Sequence, residues 1–179
     1  MVICAGKIEQ IDGATPIGIG MVESAINLTR YCIDKKPEYI LFVGTAGSYG
    51  GLELMSTVES VRACNIEQSS LRGDAYTPTD NTVSSCNYDK GNVSHETIVN
   101  SSNYICTSSE IAKKYLEINI AIENMEFYAI LKVAERFGIP AKGIFIVTNY
   151  CNVSAHKDFI KNRQEAIRLL TDKVFTVDL

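Results

Sequence analysis

Tyr39-Ile-Leu-Phe-Val43, followed by Gly44-Thr-Ala-Gly47, is an unbroken apolar run that ends in a glycine-bracketed turn. A strand with apolar side chains on both faces has to be covered on both faces, as in a parallel sheet held between helix layers. Gly143-Ile-Phe-Ile-Val147, ending at Thr148-Asn149, repeats the pattern, and Ile118 to Glu123 reads as a third such strand. Helical periodicity fills the spaces between them. Met21 to Asp34 places Val22, Ala25, Ile26, Thr29, Cys32 and Ile33 on one stripe. Met125 to Phe137 is strongly apolar and is stopped by Gly138 and Pro140, a common helix exit. Phe159 to Leu170 is a third helix, and Ser108 is placed to cap a short one ahead of Glu110-Ile111. The alternation predicts an α/β fold with a mixed, mostly parallel sheet flanked by helices. Residues 77–103 are rich in Ser, Asn, Thr and Asp and read as a long loop.

The chain's 179 residues suit one domain, taken here as 1–179, with enough apolar content (46%) to bury a core. A net charge of -4 without any run of Lys or Arg excludes an ordinary nucleic-acid binder. The apolar runs are too short to span a bilayer, and no signal peptide opens the sequence, so no membrane partner and a cytoplasmic location are expected. Six scattered cysteines lack metal-ligand spacing, so no metal is expected. His95, in the polar stretch, and His156 read as surface residues.

In α/β sheets, ligands sit beyond the carboxyl ends of strands. Thr45, Ala46 and Gly47 follow the first strand in a turn whose backbone N–H groups can approach an anion or a sugar. Glu126 falls in the first turn of an apolar helix. It complements the helix dipole there, and it has two oxygens for the two hydroxyls of a sugar diol. Asn149 follows the Gly143–Val147 strand, where Asn also suits a plain turn.

The order Gly18-Ile-Gly-Met21, Phe42-Val-Gly-Thr-Ala-Gly47, Asn103-Tyr-Ile105, Glu123-Asn-Met-Glu126 and Thr148-Asn149 resembles the purine nucleoside phosphorylase and methylthioadenosine nucleosidase family. The resemblance runs from about Ile3 to about Leu170. It implies cleavage of the N-glycosidic bond of a purine nucleoside without a cofactor. Tyr104 would stack on the base and Ile105 would offer it a backbone contact. Met125 and Met21 would line the ribose, Glu126 would accept from its hydroxyls, and Thr45, Ala46 and Gly47 would lie near phosphate or the glycosidic bond. Dimers or higher homo-oligomers are implied as well.

The departures from the family pattern define further expectations. Asn149 stands where the family has an Asp that protonates purine N7. An amide cannot give up that proton, but its N–H can hydrogen-bond to N7 and stabilise the charge on the departing base. This resembles a branch of the phosphorylases that uses Asn and prefers 6-oxopurines. Asn124 replaces the first Glu of the Glu-Met-Glu motif, and Phe42 aligns with a phosphate-binding Arg. The segment from Cys4 to Gly18 matches the family's second hairpin, so the first strand, the phosphate loop and the nucleosidases' water-activating Glu are expected to be missing. Lys7, Arg62 or Arg72, or a neighbouring subunit, would then have to replace the lost phosphate ligands. Phosphorolysis, with phosphate as co-substrate, is expected ahead of hydrolysis. The alternative is a protein of the same fold that binds a nucleoside or purine without catalysis.

Overall fold

The computed structural model describes residues 1–86 and 97–175; His95 lies outside them. Among the described residues nine strands form one sheet: β1 (Val2–Cys4), β2 (Thr15–Pro16), β3 (Ile40–Ser48), β4 (Thr57–Ser60), β5 (Arg62–Cys64), β6 (Thr82–Ser84), β7 (Ile98–Asn100), β8 (Ile120–Glu123) and β9 (Ala141–Tyr150). Five helices accompany them: α1 (Gly20–Lys35), α2 (Gln68–Arg72), α3 (Ser109–Glu117), α4 (Phe127–Phe137) and α5 (Ala155–Phe175). The order β2-β1-β3-β8-β7-β5-β6, with β9 joining β3 to β4, makes the sheet mixed and mostly parallel, as expected. Parallel pairs include β1 with β3, β3 with β9 and β7 with β8.

The two long apolar runs form the centre. Phe42, Phe145 and Val147 face the layer of α1 and α4. Val43, Ile144 and Ile146 face α5. Phe127 joins Phe42 and Phe145 in an aromatic cluster, edge-on to Phe145 at 5.1 Å between ring centres, a favourable arrangement. Gly138 ends α4 in the left-handed conformation at φ +67°, its N–H returning to the last turn. Ser108 caps α3 by accepting from the Ile111 N–H. Ser108→Ala is expected to cost about 1 kcal/mol and lower the melting temperature by about 2–4 °C, read by calorimetry.

Three expectations are corrected. The buried row of α1 is Gly20, Ser24, Leu28 and Cys32, while Val22, Ile26 and Ile33 are exposed. Small residues at Gly20 and Ser24 let the helix start sit close to the start of α4, and the Ser24 hydroxyl donates to the Gly18 carbonyl. Within residues 77–103, β7 is an inner strand between β8 and β5; its three residues are too few to show a period. The Cys4-to-Gly18 segment is no hairpin, since β1 and β2 pair in parallel.

Candidate active site

Four strand ends and loops converge on one cavity, lined among others by Glu9, Thr45, Tyr104, Glu123, Glu126 and Asn149. Ala46, Gly47, Ile105 and Met125 line it too. Met21 is not among the lining residues; its N–H donates to the Asn103 side chain instead. His156 stands exposed at the rim, at the start of α5.

Glu126 is the residue before α4 rather than part of its first turn. Its Oε1 accepts from the Gly20 N–H at 2.8 Å, so it answers the N-terminus of α1, not its own helix. Gly20 holds φ +79°, which a side chain rarely adopts, and an added Cβ would come 2.9 Å from Asn103 Oδ1. Asn124 fixes the approach. Its Oδ1 accepts from the N–H groups of Glu126 and Phe127, and its amide donates to the Thr45 carbonyl. One side chain thereby ties the end of β8, the start of α4 and β3, whose Gly44–Gly47 stretch is strand and not the turn expected from its glycines.

Asn149 reaches the cavity through a bulge. β3 and β9 run in register up to Ala46 and Val147; the pairing then skips Thr148, and Gly47 lies opposite Asn149. The extra residue turns the Asn149 side chain toward the cavity. The Thr148 hydroxyl donates to Asn149 Oδ1, and Nδ2 lies 3.0 Å from where a Cβ on Gly47 would stand. The missing side chain at Gly47 lets Asn149, Cys151 and Glu123 pack close over the strand.

Glu9 is the residue sequence reasoning missed. The N-terminal segment was expected to lack a carboxylate for water, yet Glu9 Oε1 accepts from both the N–H and the hydroxyl of Thr45. The only sequence cue was a Glu a few residues beyond a short apolar strand, which many surface turns share. The residue as a whole is half-buried, but its carboxyl end is packed against β3, and burial raises its pKa. Burial, with the nearby Glu9 charge, pushes Glu126 up to about 8, against the opposing bond from Gly20. None of Lys7, Arg62 and Arg72 lines the cavity, and no Lys or Arg does among the described residues. Nor does any group of three His, Cys, Asp or Glu there have the geometry to hold a metal. No helix among them is long and apolar enough to cross a membrane.

The raised Glu126 pKa has a consequence for stability. The folded chain keeps a proton that the unfolded chain has released, so this stabilisation is complete below the ordinary carboxylate range and fades as pH rises through about 8. Glu126→Gln is expected to melt like wild type near pH ~5. Above pH ~8 it should be the more stable protein by at least ~1 kcal/mol, or about 2–4 °C, in thermal melts across pH.

Solved structures share this fold. One is a futalosine hydrolase mutant of Helicobacter pylori strain 26695, at TM-score 0.77 and 15% identity over 96% of this chain and 94% of that one. The 5′-methylthioadenosine/S-adenosylhomocysteine nucleosidase of Streptococcus pneumoniae, solved with 8-aminoadenine, gives the same four values. The corresponding nucleosidase of H. pylori, with butyl-thio-DADMe-Immucillin-A, matches at TM-score 0.77 and 15% identity over 91% of this chain and 77% of that one. No curated protein matches the chain. The family model of the phosphorylase superfamily matches residues 12–176, nearly the whole sequence, and the chain belongs to that superfamily.

Proposed function

We propose that the protein is a purine ribonucleoside hydrolase, splitting the N-glycosidic bond with water rather than phosphate. The observation that carries this reading is the pair Glu9 and Glu126, two carboxyls on one cavity that no Lys or Arg lines among the described residues. A phosphate anion there would find no cation to hold it, and each carboxyl that ionises would repel it by about 3 kcal/mol per pair of unit charges ~5 Å apart. A water molecule meets a general base. Glu9, its pKa raised by burial, takes the proton of the attacking water. Glu126, anchored through one oxygen on Gly20, offers the other to the ribose hydroxyls, with Met125 packed beside them.

The base lies toward Tyr104, which is 74% exposed and free to stack, with Ile105 next to it on the cavity. Asn149 presents an amide N–H to its N7 edge. That edge carries two acceptors in a 6-oxopurine but an acceptor and a donor in a 6-aminopurine, which favours the 6-oxo base. Residues 1–179 act as one domain in this reading, and the exposed Val22, Ile26 and Ile33 of α1 suit self-association.

Incubation with inosine, with and without phosphate, tests the proposal. Free ribose and hypoxanthine at a rate indifferent to phosphate are expected. Ribose 1-phosphate, formed only when phosphate is present, would replace hydrolysis by phosphorolysis. The amide at Asn149, which has no proton to give, favours a second reading as a binding protein; thermal stabilisation by inosine without turnover would establish it.

A further inference from the structure

Glu123 is a third carboxyl on the cavity, and neither sugar nor water needs it. It stands on β8 directly opposite Gly47 of β3, and Gly47 stands opposite Asn149 of β9. Directly paired residues project to the same side of a sheet, so Glu123 and Asn149 pack side by side over Gly47, with Cys151 Sγ next to them. A Cβ on Gly47 would lie 3.0 Å from Asn149 Nδ2 and 3.3 Å from Glu123 Cγ. Glu9 and Glu126 feel each other's charge. Glu123 belongs to the other end, where its Oε1 accepts from the Cys106 N–H, one residue beyond Tyr104-Ile105.

We propose that Glu123 is the acid that protonates the departing base, beside Asn149 over Gly47. The proposal rests on the hydrolase reading above. Asn149 holds the base by an N–H that it cannot release; Glu123 supplies the proton. In the step, the C1′–N9 electron pair passes to the base, and the Glu123 O–H proton passes to the base edge beside Asn149. The water oxygen bonds to C1′ and its proton goes to Glu9. Glu123 ends ionised and Glu9 protonated, and exchange with solvent restores both.

The surroundings of Glu123 suit a carboxyl that holds its proton until the base needs it. It is 8% exposed and receives the Tyr49 hydroxyl at 3.0 Å. The titratable groups that face it are Tyr49 at the end of β3, Tyr115 on α3, Cys106 and Cys151, and none of these is a cation. Burial raises the pKa of Glu123 against the bonds from Cys106, Tyr49 and Cys151. Tyr49 is fixed in turn by stacking on Tyr115, with ring centres 4.2 Å apart, and by accepting from the Asn100 amide. The acid therefore sits on a rigid support.

The test compares two ribosides in the intact protein. Inosine needs its base protonated; p-nitrophenyl β-D-ribofuranoside releases a stable phenolate and does not. Glu123→Gln keeps the shape and the hydrogen-bond acceptor. It is expected to lower kcat on inosine about 100-fold or more, the usual reach of general acid catalysis, with KM changed little and the p-nitrophenyl riboside cleaved at the wild-type rate. Equal loss on both substrates, or loss on neither, overturns the proposal. Should the variant fail to fold, the wild-type pH profile decides. An alkaline limb on inosine that is absent with the p-nitrophenyl riboside supports the acid, and the same limb on both overturns it. A wild type that cleaves neither riboside defeats the hydrolase reading itself; one that cleaves both, with Glu123→Gln unimpaired, defeats only the role of Glu123.

Discussion

Glu9→Gln is expected to leave a folded protein that still binds inosine but turns it over about 10²- to 10⁴-fold more slowly, the range for losing a positioned general base. The amide oxygen of Gln can still accept from the Thr45 N–H and hydroxyl, so the local geometry has no reason to collapse. What disappears is the capacity to take a proton from water. The loss should therefore fall on kcat, with KM nearly unchanged, and steady-state kinetics on inosine separate the two. The wild-type rate on inosine should also rise with pH across the range in which Glu9 ionises, and that acid limb should vanish in the variant. A variant as fast as wild type would remove Glu9 from the chemistry.

The second large effect is expected at Glu126. Glu126→Gln keeps an acceptor for the Gly20 N–H but replaces the oxygen facing the sugar by an amide. A hydrogen bond to a charged group contributes about 1.5–3 kcal/mol, so kcat/KM on inosine should fall by roughly 10- to 150-fold. The partner hydroxyls identify themselves in a cross-comparison. On 2′-deoxyinosine wild type has already lost one of the two contacts, so the same substitution should cost less there. Because burial raises Glu126 to about 8, nucleoside binding by wild type should tighten as pH rises toward that value and the carboxyl becomes an acceptor through both oxygens. The variant's binding should be flat over the same range. Binding measured across pH by calorimetry checks both statements.

The same substitution is expected to weaken the nucleoside site and, at alkaline pH, to stabilise the fold. A desolvated carboxyl beside a second one costs free energy that only a bound sugar offsets. Opposite signs for activity and stability at one position are the mark of a binding carboxylate; an ordinary core residue would lose both together.

Much of the architecture was legible along the chain. Tyr39–Val43 and Gly143–Val147 are apolar on both faces, which only a covered central strand can use, and they became β3 and β9 with their neighbours on both sides. The boundary of α4 was announced by Gly138, and that of α3 by Ser108. The apolar stripe of α1 was not readable in the same way. Its exposed face carries more large aliphatics than its buried one, because the buried face needs small residues for close approach to α4. β7 escaped because three residues between Ser- and Asn-rich stretches carry too little pattern to see.

What the sequence alone determined is the alternation of covered strands and helices, and with it the central strands on which Thr45, Gly47 and Asn149 lie. Those follow from local periodicity and from where apolar runs stop. What only the tertiary structure decided is which carboxyls share the cavity. Glu9 arrives from a loop whose path depends on the parallel pairing of β1 and β2, and Glu123, paired with Gly47, meets Asn149 because a bulge at Thr148 brings Asn149 opposite Gly47 as well. Register and loop path are set by pairing between segments far apart in the chain, and no pattern within either segment encodes them.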